Sequence, residues 1–332
     1  MKILIIGGTG TISAPICETL AKKSDVQLTV LNRGNKKLPA GAKQIIGDFN
    51  DFATMSKLAE DNYDVVINFI VFTQQQAQQE IEIFTNKVKQ YIFISTVATY
   101  DHENHLVIDE NTPQGNIYSL YGQNKTACEK LYLNSSLPVT IVRPSQTYNN
   151  DRIPLSVKGN SCYSVIDRII NNKPVIIHGD GKSTWHCTNA VDFAKYFIHL
   201  VGNYQSIGEA YHIINEELVT WDMIYHHLAK LLNKEITIYH LTSDFLALST
   251  KYPLKDTILA DKQYSVIYKM DKIKAISGDI KMSIDIKAGL ENYLNYLAKN
   301  PEFKIKDPKF DDWCDNLIEI YQKFIESSTN CY

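Results

Sequence analysis

The sequence predicts an α/β chain built on a doubly wound parallel sheet, with a smaller C-terminal region, and three observations point there. The chain opens on a short apolar run, Lys2 to Ile6, closed by glycines, the pattern of a strand buried on both faces of a parallel sheet. Comparable runs recur at Val26 to Leu31, Val65 to Ile70, Tyr91 to Ile94 and Val139 to Val142. Several of the segments between them, such as Gln74 to Val88 and Tyr121 to Leu133, carry helical spacing, so strand and helix alternate as parallel sheets require.

In order along the chain, the first helix starts from about Thr11. The polar tract Gln74 to Glu80 reads as the solvated start of a helix whose apolar face is Ile81, Phe84 and Val88. After Asn149 the alternation loosens, giving a helix near Val165 to Asn171, a strand at Val175 to His178 and a turn at Gly179 to Gly181. A strand at Ala210 to Ile214 precedes Thr220, which can cap a helix running to about Leu232. From about Asp285 the pattern reads as two helices. The expected division is 1–150 and 151–332, with some later segments packing back on the first part.

Hydrophobic content of 44% with 21% charged residues is ordinary globular composition and excludes a disordered or collagen-like chain. A net charge of −3 gives no basic field, so nucleic acid is not an expected partner. Only four arginines occur, Arg33, Arg143, Arg152 and Arg168, so the guanidinium forks able to grip phosphate are few. Cys17, Cys128, Cys162, Cys187, Cys314 and Cys331 form no CxxC pair, which points to reduced thiols and no metal site. The opening apolar run is too short for a signal peptide and no stretch reaches membrane-spanning length, so a cytoplasmic protein is expected.

Gly7-Gly8-Thr9-Gly10-Thr11-Ile12-Ser13 follows the first strand and opens the first helix. Glycines there let the backbone approach a pyrophosphate, and the helix N-terminus supplies unpaired N–H groups. Ser13 stands at the third glycine's place, so the helix is expected to pack slightly further from the sheet. Asn32-Arg33 ends the second strand where an acidic residue normally holds the ribose of NAD. No carboxylate repels a 2′-phosphate, which favours NADP over NAD, although Asn32 could serve a 2′-hydroxyl and Arg33 could be a solvated loop cation. Asp48 could accept from an adenine amino group or be a plain turn aspartate.

Tyr121 and Lys125 lie four residues apart, which a helix stacks on one face. Chance alone supplies about two such pairs in this composition, and a second occurs at Tyr268 and Lys272. Position separates them, because the first pair follows the strand that ends in Ser95-Thr96. A phenol with an ordinary pKa near 10 acts at neutral pH only beside a cation.

With GGTGTIS, YIFISTVATY, YGQNK and VRPSQTY in place, the chain resembles the extended short-chain dehydrogenase/reductase superfamily, the NAD-dependent epimerase/dehydratase family. GDGKSTW and NAVDFAKYF look like its later signatures. The similarity is greatest to its bacterial epimerase-like branch related to plastid stem-loop RNA-binding proteins. The resemblance implies a Rossmann domain over 1–150 and a substrate-binding region over 151–332. It implies Tyr121 as acid/base, Lys125 as electrostatic partner and ribose ligand, and Thr96 as substrate hydrogen-bonding group. The implied cofactor set is Gly7, Thr9, Gly10, Thr11, Ile12, Asn32, Arg33, Asp48, Phe49, Phe69, Ile70, Lys125 and Pro144. Gln146, Trp185 and His186 join Thr96 as substrate candidates, with a buried tryptophan and a satisfied histidine as the alternative.

Two departures stand out. Val97-Ala98 occupies the acidic pair of the family's 4,6-dehydratases, so sugar dehydration is not expected, and Trp185-His186 replaces the arginine that nucleotide-sugar members carry after the GDG turn, which argues against UDP-sugar binding. The expected function is NAD(P)-dependent hydride transfer at a hydroxyl-bearing carbon of a carbohydrate-like small molecule, as oxidoreductase or epimerase. A homodimer through the helices of Gln74 to Val88 and Tyr121 to Leu133 is expected. The rivals are an RNA-binding or cofactor-sensing protein that keeps the fold, and a cofactor-binding scaffold.

Overall fold

The computed structural model describes residues 1–329; Cys331 lies outside them. Two compact units arise. Met1–Asn149, His186–Leu218 and Val266–Asp285 form the first, and Asn150–Trp185, Val219–Ser265 and the chain from Ile286 form the second.

In the first unit the elements run β1 (Lys2–Ile6), α1 (Ser13–Ala21), β2 (Gln27–Asn32), β3 (Ala42–Ile46), α2 (Phe52–Ala59), β4 (Val65–Asn68), α3 (Gln74–Phe84), β5 (Gln90–Ile94), β6 (Val107–Ile108), α4 (Leu120–Leu133) and β7 (Val139–Pro144). Seven parallel strands form one sheet, ordered Ala210–Ile213, β7, β5, β4, β1, β2, β3. Every side chain of β4 and β5 is buried, as are Ile3 to Ile6 of β1, which is why these strands read as unbroken apolar runs. The chain moves outward from β1 to β3, then returns to the other side of β1 as β4. The loops after β1 and β4 therefore flank a reversal of strand order, the place where open α/β sheets bind ligands.

Two sequence expectations need correction here. The helix expected to reach Val88 stops at Phe84, because Thr85 leaves helical geometry and Asn86 takes a left-handed φ of 63°. The tract Gln74 to Glu80 is solvated on one face only, with Gln74, Gln75 and Gln78 exposed while Ala77 and Glu80 are fully buried. The Tyr268/Lys272 pair also resolves: Tyr268 ends a strand, Ile267–Tyr268, and Lys272 lies in the next helix, Asp271–Ser277.

Of the second unit, Val175–His178 and Ile238–Leu241 pair as parallel strands. Helices span Tyr163–Ile170, Trp221–Leu231, Ile286–Lys299 and Pro308–Thr329, and Thr220 caps Trp221–Leu231 by accepting from the Met223 N–H. Buried Arg168 donates to the carboxylates of Asp311 and Asp315. The five described cysteines are free and buried, and among the described residues no helix is long and apolar enough to cross a membrane.

Candidate functional site

The loop after β1 turns at Gly7, whose φ of 83° lies in the left-handed region. A Cβ there would stand 2.8 Å from Ile70 Cγ2, so glycine is required for conformation and for contact. Ser13 closes the loop. Its Oγ donates to the Gly7 carbonyl at 2.7 Å and accepts from the Gly10 N–H at 2.8 Å, two bonds that a glycine could not make. No side chain caps the start of α1 at Ile12, which leaves backbone N–H groups to face an anion.

Beside this loop lies a cavity of about 520 Å³ that gathers Gly7, Thr9, Gly10, Asn32, Arg33, Asp48, Phe49 and Ile70. Asn32 Oδ1 accepts from the Gly34 N–H at 2.9 Å and from Gln44 Nε2 at 2.8 Å. Its Nδ2 is left buried with no partner among the described residues. Such an orphan costs about 1–3 kcal/mol, and a ribose hydroxyl or phosphate oxygen would relieve it. Arg33 is exposed and meets no carboxylate among the described residues. Asp48 Oδ1 accepts from the backbone N–H and the Nδ2 of Asn50, a turn at the cavity's edge. The glycine cradle and the orphaned Asn32 amide together fit a dinucleotide.

Sequence reasoning missed the rim made by Lys36, Asn50, Phe72 and Gln76. Gln76 Oε1 accepts from the Phe72 and Thr73 N–H groups, and its Nε2 donates to Asn50 Oδ1 at 3.0 Å. The signal was available, because Thr73 and Gln76 have capping-box spacing, and both reciprocal bonds form.

The second constellation sits on α4. Ser119 caps it by accepting from the Gly122 N–H, and Gly122 lets it press on the turn 97–99. A Cβ at 122 would stand 2.0 Å from the Ala98 carbonyl oxygen. That contact sets Tyr121 beside Thr96. Loss of water pushes the Tyr121 phenol above its ordinary range, and a hydrogen bond from Thr96 opposes the rise. The Tyr121 side chain as a whole stays 42% exposed.

Lys125 is buried. Its Nζ donates to the carbonyls of Val71 at 2.6 Å and Ile94 at 2.7 Å, and lies 5.8 Å from the Tyr121 ring centroid, over the rings of Phe72 and Phe93 as well. Two of its three N–H groups are thereby used and one remains. Burial pulls its pKa down to about 7.

The loop that supplies the Val71 carbonyl is anchored from below. Asn68 Oδ1 accepts from the Ile70 N–H at 2.9 Å, and Asn68 Nδ2 donates to Glu80 at 3.0 Å. The same Glu80 oxygen accepts from the Tyr91 hydroxyl at 2.8 Å, while its other oxygen is buried with no partner among the described residues. Burial raises the Glu80 pKa to about 7.

Phe69 stands 6.3 Å from Phe197, ring to ring. Pro144 ends β7 opposite Ile213, and Gln146 is half-buried in the strand Gln146–Tyr148. Trp185 is buried. His186 is buried too, with Nδ1 at 2.6 Å from the Asn215 carbonyl and Nε2 accepting from the Tyr268 N–H, so neither ring nitrogen is left for a ligand. Arg143, one of the four candidate forks, holds Glu129 through both Nε and Nη2 and donates to the Tyr100 hydroxyl.

A family model described as the NAD dependent epimerase/dehydratase family matches residues 3–215. A dTDP-D-glucose 4,6-dehydratase of Dictyostelium discoideum is 25% identical over 262 residues, 64% of this chain and 59% of that protein. A UDP-glucose 4-epimerase of Lactobacillus helveticus is 29% identical over 152 residues, 40% of this chain and 46% of that protein. The chain thus spans about half the length of these curated relatives. Among solved structures, UDP-glucuronic acid 4-epimerase of Bacillus cereus, in complex with UDP-glucuronic acid and NAD, superposes with a TM-score of 0.70. The identity is 20%, with 90% of this chain and 99% of that one covered, a likeness of fold.

Proposed function

Because the chain belongs to the NAD-dependent epimerase/dehydratase family, we propose that it catalyses reversible hydride transfer at a hydroxyl-bearing carbon of a carbohydrate-like substrate, as an epimerase or reductase. The observation that carries this is the Tyr121–Lys125–Thr96 group, held together by the Gly122 contact.

The Gly7 to Ile12 loop would hold the dinucleotide's pyrophosphate, and Asn32 and Arg33 its adenosine ribose. When bound, the cofactor supplies the hydride acceptor and donor. Tyr121 carries the proton to and from the substrate oxygen at its phenol oxygen. Raised as it is, the phenol is protonated at neutral pH and ready to donate. To accept, it needs positive charge nearby, and the Lys125 ammonium provides it at pH values below its pKa of about 7. Thr96 orients the same oxygen. The free Lys125 N–H is the group available to a ribose hydroxyl.

Val97 and Ala98 are buried beneath α4, so no acid stands where dehydration would need one, which favours epimerase over dehydratase. The relatives' substrates make UDP-sugars the first class to test. Arg33 at the cavity favours NADP. A homodimer through α3 and α4 is part of the same reading, with Leu120 and Leu133 of α4 exposed.

The test is calorimetric titration with NAD and NADP, followed by turnover of UDP-sugars by wild type and Tyr121→Phe. Cofactor binding in both proteins with turnover reduced by about 10²-fold or more in the variant is expected. No binding of either dinucleotide by folded protein would overturn the reading, and a monomer mass in solution would remove the dimer.

A further inference from the structure

The four arginines divide by what they hold. Arg143 is spent on Glu129, and Arg168 on Asp311 and Asp315. The other two each line a cavity: Arg33 the one beside the glycine loop, and Arg152 a cavity of about 360 Å³ in the second unit. Arg152 is exposed and meets no carboxylate in an ion pair among the described residues.

Lys158 lines the same cavity, and its Nζ makes one long bond, 3.3 Å, to the Gly159 carbonyl. Tyr293 also faces it. This residue is 2% exposed, and its hydroxyl, which makes no hydrogen bond to a described residue, is open to the cavity rather than sealed in the core. Burial pushes its pKa up, so it stays protonated and can only be improved by an acceptor. Asp151 also lines the wall, and Leu297 and Phe303 make it partly apolar.

We propose that this cavity binds a small organic phosphate, with Arg152 and Lys158 on the phosphate, Tyr293 donating to a phosphate oxygen, and Asp151 accepting from a hydroxyl of the organic part. Guanidinium and ammonium supply donors only, and the protonated phenol can turn its O–H to donate as well, which is what a dianion needs. The single carboxylate selects against a bare anion and for one that carries hydroxyl groups. The volume is at the small end of ligand cavities, roughly 300–1,000 Å³, and suits a sugar phosphate. The site does not rest on the enzyme reading: a protein that fails to bind NAD could still fill it.

Calorimetry of the full chain with glucose 1-phosphate, inorganic phosphate and NAD tests this. Saturable binding of glucose 1-phosphate is expected, weakened about tenfold or more by Arg152→Ala and less by Arg152→Lys, because a guanidinium fork is only partly replaced by an ammonium. Tyr293→Phe, which keeps the ring and its packing, should weaken it by a few-fold to about tenfold. NAD affinity should be unchanged in all three variants. Absence of saturable binding, binding unaffected by Arg152→Ala, or inorganic phosphate held as tightly as the sugar phosphate would each overturn the assignment.

Discussion

The glycine cradle and the acid/base group are built in opposite ways. The cradle is seven consecutive residues whose backbone would do the proposed binding, and its one side-chain stitch, Ser13, joins Gly7 to Gly10 within the same loop. The acid/base group draws on four separated segments. Thr96 follows β5, Tyr121 and Lys125 ride on α4, the Val71 carbonyl follows β4, and Glu80 supports that loop from α3. A local site is as robust as its turn, whereas a composite one fails wherever any supporting contact fails.

The strongest break in that contrast is Gly122→Ala. Its Cβ would meet the Ala98 carbonyl oxygen at 2.0 Å, so α4 must lift and take Tyr121 from Thr96. Turnover should fall by more than about 10²-fold, with stability lowered by about 1–3 kcal/mol, while NAD affinity falls far less, through the Lys125 contact alone. Assays of all three separate the regions, and equal loss of binding and turnover would contradict their independence.

Glu80→Gln probes the support beneath. The folded-state pKa of about 7 lies above the ordinary 4.5, so the contribution to stability is full below pH 4.5 and is lost as pH rises through 7. Wild type should lose about 3 kcal/mol from this group across that window, and the variant should not. Denaturant melts at pH 5 and pH 8 read the difference; parallel pH profiles would remove Glu80 as the cause.

Gly7→Ala acts on the cradle itself. A left-handed alanine pressed on Ile70 should weaken NAD about tenfold or more, at a stability cost of about 1–2 kcal/mol, with the pH profile of Tyr121 unchanged. The smallest effect is expected from Arg33→Ala. NADP affinity should fall about tenfold, with NAD held within about twofold, and equal loss of both would show that Arg33 does not read the 2′-phosphate.

Legibility follows the same division. GGTGTIS could be read directly because every contact that shapes the loop lies within the motif or one strand away. Asn32 and Arg33 were placed by strand length alone. Tyr121 and Lys125 were recognisable by spacing and told apart from Tyr268 and Lys272 by position after the Ser95-Thr96 strand, and the structure adds that only the first pair shares a helix. Glu80 was hidden in a polar tract, because burial of one carboxyl among glutamines depends on Asn68 and Tyr91 arriving from neighbouring strands.

Alternating apolar runs and the glycine loop thus determined the sheet, the cradle and the family, since these rest on periodicity and backbone conformation that neighbouring residues dictate. Tertiary structure alone decided which polar groups are spent and which are free. Arg143 and His186 are satisfied inside the first unit, while Arg33 and Arg152 line cavities. A charged side chain's availability depends on partners far away in sequence, and only the packed chain brings those partners within hydrogen-bonding reach.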